Sequence, residues 1–232
     1  MYVHLLTLAF LSLSTVSLKG TSISSRSDST DYNHWPAIGL MAGGLIITNT
    51  DTKTSLQSDL QNLFGTTKSS IDDYVAFAPS VPFLLYSLNG RRHDRGHHIR
   101  KYILSTSISL ALTYGLKTTL NVRRPNGGGL SFPSGHTSFA FSTATVSYMI
   151  YKDHAPLLAW ASYIPAAITG VMRITRNKHW APDVVFGAGL GILSTQLTYR
   201  LFKKTDNPKS SKVLSNLHFD IGPGNLSIVY QL

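Results

Sequence analysis

Pro133-Ser134-Gly135-His136 runs without a break into an apolar stretch that reaches residue 151. The reading of the whole chain turns on this passage. A small hydroxyl residue and a glycine between a proline and a long apolar run describe a turn that feeds a helix N-terminus. The first backbone N–H groups of a helix lack partners within it and favour an anion, and Gly135 lets a ligand come close. Ser134 can cap the helix, bind a phosphate oxygen, or do both. Two groups of polar residues flank the passage. Upstream stands Lys117, then six residues, then Arg124-Pro125. Downstream stands Arg173, then five residues, then His179, then three residues, then Asp183.

An anion is the simplest reason for basic side chains to collect between apolar segments. Arginine grips phosphate through a planar fork of donors, and lysine adds a mobile point charge. Lys117, Arg124 and Arg173 can surround a phosphoryl group and neutralise charge that shifts in its transition state. Pro182, between His179 and Asp183, suits the first turn of a helix, which places His179 just ahead of that helix. Asp183 can then hold one imidazole nitrogen of His179 and leave the other to attack phosphorus. His136, on a different element, is the natural proton donor for the leaving oxygen. No carboxylate cluster calls for a metal, so neither metal nor cofactor is expected.

In order and spacing, the three stretches resemble the motifs of the type 2 phosphatidic acid phosphatase family, in its bacterial membrane-type form. That family shares its site with bacterial acid phosphatases and vanadium haloperoxidases. The resemblance covers roughly residues 70–205, and Trp180, Val184 and Gly187 extend it. It implies an all-α, six-helix membrane bundle of the lipid phosphatase type. It also implies that Lys117, Arg124, Ser134, Gly135 and Arg173 bind phosphate, that His179 becomes phosphorylated, that Asp183 orients it, and that His136 protonates the leaving group. One departure stands out: Met172 occupies the place before the third-motif arginine where the family often has serine. Arg123 and Arg176 are neighbouring arginines that either reach a substrate head group or face water.

Composition agrees with an anionic partner. The chain has 232 residues, 21 Lys and Arg against 11 Asp and Glu, a net charge of +10 and no cysteine. Thiol and disulfide chemistry are therefore excluded. No nucleic-acid motif is present, and the basic residues sit at the ends of apolar segments, as they do beside a membrane. Apolar segments fall near 36–49, 74–88, 101–116, 136–151, 156–172 and 182–202. Most are shorter than the ~20 residues of a usual span, and the mean hydropathy of +0.03 is low for six of them. A soluble bundle of buried helices is the competing architecture.

The expected layout is a signal segment or membrane anchor at 1–20, a linker at 21–35, the helical domain at 36–205 and a tail at 206–232. The tail alternates around Gly222-Pro223-Gly224-Asn225 and predicts a β-hairpin. Residues 91–101 read as a basic loop; together with Lys152 and with Arg200, Lys203 and Lys204 they mark one face as cytoplasmic. The motifs then face the periplasm from a bacterial inner membrane. Counting spans from an exported residue 20 gives the opposite orientation, unless 1–18 is not exported or 36–49 does not fully cross. Residues 51–73 predict a short amphipathic helix, on the membrane, over the site or on a protein core. Asp72-Asp73 reads as a solvated or capping pair rather than a metal pair, and His93, His97 and His98 as part of the basic loop.

The function expected from these residues is metal-independent hydrolysis of a lipid phosphate or diphosphate through a phosphohistidine. Lipid A, undecaprenyl diphosphate, phosphatidylglycerophosphate and phosphatidic acid are the candidate substrates. The alternatives are a nonspecific soluble-type acid phosphatase, a haloperoxidase and a non-catalytic phospholipid-binding protein. The expected partners are the lipid substrate and the membrane, without nucleic acid.

Overall fold

A computed structural model describes residues 33–48, 51–66, 71–89, 92–202, 217–222 and 225–230. The expectations for residues 1–20, and for the linker up to residue 32, lie outside the described residues. The chain divides after Arg200 into two units.

Each of the six apolar segments is helical. They form α1 (Trp35–Ile47), a broken segment made of α3 (Asp72–Val75), a 3₁₀ turn (Ala78–Ser80) and α4 (Val81–Asn89), then α5 (Arg92–Leu120), α6 (Gly135–Tyr151), the pair α7 (Pro156–Ala161) and α8 (Tyr163–Thr175), and α9 (Ala181–Leu201). Prolines explain the interruptions. Pro79 and Pro82 each remove a backbone donor from 71–89, and Pro165 would drive its ring against the Ala161 carbonyl if α7 and α8 were one helix. The amphipathic helix is α2 (Thr52–Phe64).

The basic loop expected at 91–101 is a correction. From Arg92 onward it is helix, continuous with the apolar part of α5. The stretch carries no proline, and Arg, Lys and His continue a helix readily. Twenty-nine residues make α5 about 44 Å long.

Polar residues buried in the bundle contribute to the low mean hydropathy. Serines and threonines fill the interior, where Thr137, Ser138, Ser142, Thr143, Thr145, Ser147 and Thr195 are all fully buried. Their hydroxyls bond across helices, as Ser142 Oγ does to Thr195 Oγ1 at 2.9 Å and Ser162 Oγ to the Ala144 carbonyl at 3.0 Å. Large apolar side chains point outward instead, among them Ile103, Leu112, Leu157, Trp160, Ile164 and Leu201. Small residues allow the close approach of α6 and α9: a Cβ on Gly191 would lie 2.8 Å from Ser142 N, and one on Gly187 would lie 2.9 Å from Ser134 O. Such contacts pack helices where no hydrophobic force drives them together. The run Pro156–Thr175 is long and apolar enough to cross a membrane.

This architecture gathers the three motifs at one end. Lys117 lies in the last turn of α5, Ser134 precedes α6, Arg173 lies in the last turn of α8 and Asp183 in the first turn of α9. Lys152 follows the other end of α6, and Arg200 lies in the last turn of α9. In the second unit, β1 (Leu217–Gly222) pairs antiparallel with β2 (Asn225–Tyr230), with Leu217 opposite Tyr230 and Gly222 opposite Asn225. This is the hairpin that the alternation predicts.

Candidate active site

The loop between α8 and α9 carries His179, and its shape follows from one residue. Asn177 adopts a left-handed conformation, φ 55°, which asparagine tolerates better than most residues and which ends a helix. The chain turns back, so that the backbone N–H groups of Lys178 and His179 both bond the Arg173 carbonyl, at 3.1 and 3.2 Å. Helix α2 braces this turn. Gln57 and Gln61 donate from Nε2 to the Ile174 carbonyl at 3.0 and 3.2 Å, and both also reach Asn177 Oδ1. Leu56 and Leu60 pack on Ile174, Ala181 and Val184. Of the three positions open to the amphipathic helix, α2 thus takes the one on a protein core, beside the turn that carries His179.

His179 is 1% exposed and Asp183 is fully buried. Nδ1 of His179 stands 3.6 Å from Asp183 Oδ2. That carboxylate oxygen accepts from the Trp180 backbone N–H at 2.9 Å and from Ser131 Oγ in a short hydrogen bond. Ser131 Oγ is also 3.5 Å from His179 Nδ1. The carboxylate, the hydroxyl and the imidazole therefore form one buried group. Burial pushes His179 down to about 4, against the opposing pull of Asp183 and with help from the charges of Lys117 and Arg173. The imidazole is neutral at ordinary pH, which is the form a nucleophile requires.

The cations converge on the same place. Lys117 donates from Nζ to the Leu130 and Ser131 carbonyls at 3.2 and 3.0 Å. Arg124 donates from Nε to the same Leu130 carbonyl at 3.2 Å. Its acidity is raised by burial first and by the nearby charge of Arg173 second. Arg173 is 4% exposed, and its Nη1 donates to Asp73 Oδ1 at 3.0 Å.

Ser134 takes the N-cap position of α6 with extended backbone, and its carbonyl accepts from the Ser138 N–H at 2.9 Å. Its side chain does otherwise than a simple cap. The hydroxyl is fully buried and pairs with Thr137 Oγ1 at 2.9 Å. Its backbone N–H donates to the Asp183 carbonyl at 3.0 Å, which ties the start of α6 to the start of α9. Gly135 opens α6, with Thr113 Cγ2 3.7 Å from where a Cβ would stand. His136 lies at the mouth, its side chain 39% exposed, with Nε2 3.1 Å from Asp73 Oδ1.

The structure thus joins Lys117 and Arg124 through one carbonyl, His179 and Asp183 through Ser131, and Arg173 and His136 through Asp73. Two of these links are residues the spacing does not reveal. Ser131 lies three places before Ser134, in the same turn. Asp73, read as a solvated or capping acid, has a side chain 47% exposed, and its carboxylate also meets the arginines. For Arg176 one of the two alternatives falls away. Its side chain is 11% exposed and its Nη1 lies 3.9 Å from Asp73 Oδ2, so it does not face water. Arg123 is exposed, and its carbonyl accepts from Trp180 Nε1 at 2.9 Å.

The sequence model of the PAP2 superfamily matches residues 98–206. A lipid A 1-phosphatase from Porphyromonas gingivalis is 30% identical over 200 residues, which are 77% of this chain and 44% of that protein. The chain therefore spans less than half the length of that curated relative. Among solved structures, the transmembrane PAP2-type phosphatidylglycerolphosphate phosphatase of Bacillus subtilis aligns with a TM-score of 0.55 at 18% identity, covering 75% of this chain and 99% of that one. LpxE of Aquifex aeolicus aligns with a TM-score of 0.51 at 22% identity, covering 66% and 97%. At such identities the two structures speak for the fold alone, an all-helical bundle.

Proposed function

We propose, from the match of residues 98–206 to the PAP2 superfamily model, that the protein is a membrane phosphatase that hydrolyses a lipid phosphate through a phosphohistidine on His179. The observation that carries the reading is the buried Ser131–Asp183–His179 group set among Lys117, Arg124 and Arg173.

With Asp183 on the Nδ1 side, Nε2 of His179 holds the lone pair that attacks phosphorus. As the bond from phosphorus to the ester oxygen breaks, that oxygen takes a proton from His136 and leaves as an alcohol. The three cations neutralise the phosphoryl oxygens, whose charge is redistributed in the transition state. Water then attacks the phosphohistidine, His136 accepts a proton from it, and inorganic phosphate leaves with His179 restored. The reaction needs no metal, since the cations already supply the countercharge.

A lipid substrate is supported by the large apolar side chains that the bundle turns outward, among them Ile103, Leu157 and Trp160. The relative from Porphyromonas gingivalis puts lipid A first among the candidates. Undecaprenyl diphosphate, phosphatidylglycerophosphate and phosphatidic acid follow. We place the protein in a bacterial inner membrane, with the site at the periplasmic end, opposite Lys152 and Arg200. The test is phosphate release from these lipids in mixed micelles, beside short-chain soluble esters. Turnover concentrated on a lipid supports the reading, and preference for the soluble esters contradicts it. Extraction that needs detergent supports the location, and release by salt alone contradicts it.

A further inference from the structure

The mechanism above leaves the carboxylate of Asp73 without a role. Asp73 comes from α3, a hundred residues before Arg173, and its carboxylate reaches three basic groups. Oδ1 is 3.0 Å from Arg173 Nη1 and 3.1 Å from His136 Nε2, and Oδ2 is 3.9 Å from Arg176 Nη1. One oxygen atom is therefore shared by a proposed phosphate clamp and the proposed proton donor. A carboxylate in that position does two things at once. It fixes the fork of Arg173, which has to present its donors in one plane to a phosphoryl group. It also fixes the ring of His136 and supplies the countercharge that an imidazolium needs. His136 depends on this more than His179 does, because the His136 side chain is 39% exposed while that of His179 is 2% exposed.

We propose that Asp73 is a positioning residue that sets His136 and Arg173 against each other on one carboxylate oxygen, so that the proton donor meets the leaving oxygen while the clamp holds the phosphoryl group. The proposal rests on the phosphatase reading of the site. The proton still passes from His136 to the departing oxygen as its bond to phosphorus breaks; Asp73 neither gains nor loses one. A fault in this arrangement is felt most where the leaving group needs its proton, and least where it does not.

The experiment compares the wild-type enzyme with Asp73→Asn, Asp73→Glu and, as a surface control, Asp59→Asn. Each is assayed in detergent with an alkyl phosphate, whose leaving group is poor, and with p-nitrophenyl phosphate, whose leaving group is good. Asp73→Asn is expected to lower kcat/KM, which reports formation of the phosphohistidine, about 30-fold on the alkyl ester and by less than about threefold on the nitrophenyl ester, because general acid assistance contributes about 10²–10⁴ where it is needed. KM is expected to stay within about twofold, Asp73→Glu to recover part of the loss, and Asp59→Asn to match the wild type. Equal losses on both esters would overturn the proposal, as would a kcat/KM unchanged on both. Tighter binding of inorganic phosphate by Asp73→Asn at unchanged kcat would also overturn it, by making Asp73 a competitor for the anion's place. No turnover of either ester by the wild type would instead overturn the phosphatase reading, and the proposal with it.

Discussion

The two imidazoles of the site sit in opposite surroundings. His179 is 1% exposed, carried on a turn whose backbone bonds return to Arg173 and braced by Gln57 and Gln61 from α2. His136 stands at the mouth, its side chain 39% exposed, and is met there by Asp73. The difference matches the work proposed for each. A nucleophile has to be neutral and held still, which burial achieves. A proton donor has to exchange protons with solvent between cycles, which burial would prevent. The depth of each ring is thus part of its chemistry.

The largest expected effect separates the two. His179→Ala should reduce phosphate release by about 10⁴-fold or more for every substrate, because no other group forms the covalent intermediate. His136→Ala should cost about 10²–10⁴-fold on alkyl esters and far less on p-nitrophenyl phosphate. Similar leaving-group profiles for both variants, read from kcat/KM, would erase the distinction. A smaller effect falls on the buried side alone. Ser131→Ala removes a donor from Asp183 and leaves the Trp180 N–H on Oδ2. It should lower kcat about tenfold, with a stability loss of about 1.5–3 kcal/mol, the usual contribution of a hydrogen bond to a charged group. Unchanged kcat and Tm would mean that Ser131 merely fills space.

The smallest effect is on pH dependence. His179 is held near 4 when folded, against 6.5 for an exposed imidazole. Between these values the unfolded chain binds a proton that the folded site excludes. This contribution therefore favours the folded state more as pH rises from about 4 to 6.5, and costs stability as pH falls through that window. Thermal midpoints in detergent should carry this slope in the wild type, and His179→Gln should flatten it. Equal slopes would indicate that His179 charges freely, like a surface ring.

Much of the buried half was legible in the sequence. The intervals from Lys117 to Arg124, and from Arg173 through His179 to Asp183, are local, and each lies on a helix end whose start or stop has a proline or turn signal. The helical segments were legible for the same reason, although their Ser, Thr and Gly content blurred the membrane signal by facing inward. What escaped was long-range. Asp73 meets Arg173 across a hundred residues, and no periodicity joins α3 to α8. Ser131 sat in plain view beside Ser134, but a serine in a turn is common, and its partner Asp183 is 52 residues away. The basic start of α5 misleads in another way: its charge density suits a loop, yet its Arg and Lys residues are good helix formers and no proline interrupts them.

The most direct test of the account is to trap the covalent intermediate. Wild-type enzyme mixed with a labelled lipid phosphate and quenched within the first turnovers should hold acid-labile, base-stable phosphate, which peptide mapping assigns to His179; His179→Ala should hold none. Phosphate found on another residue, or retained by His179→Ala together with turnover, would contradict the central claim.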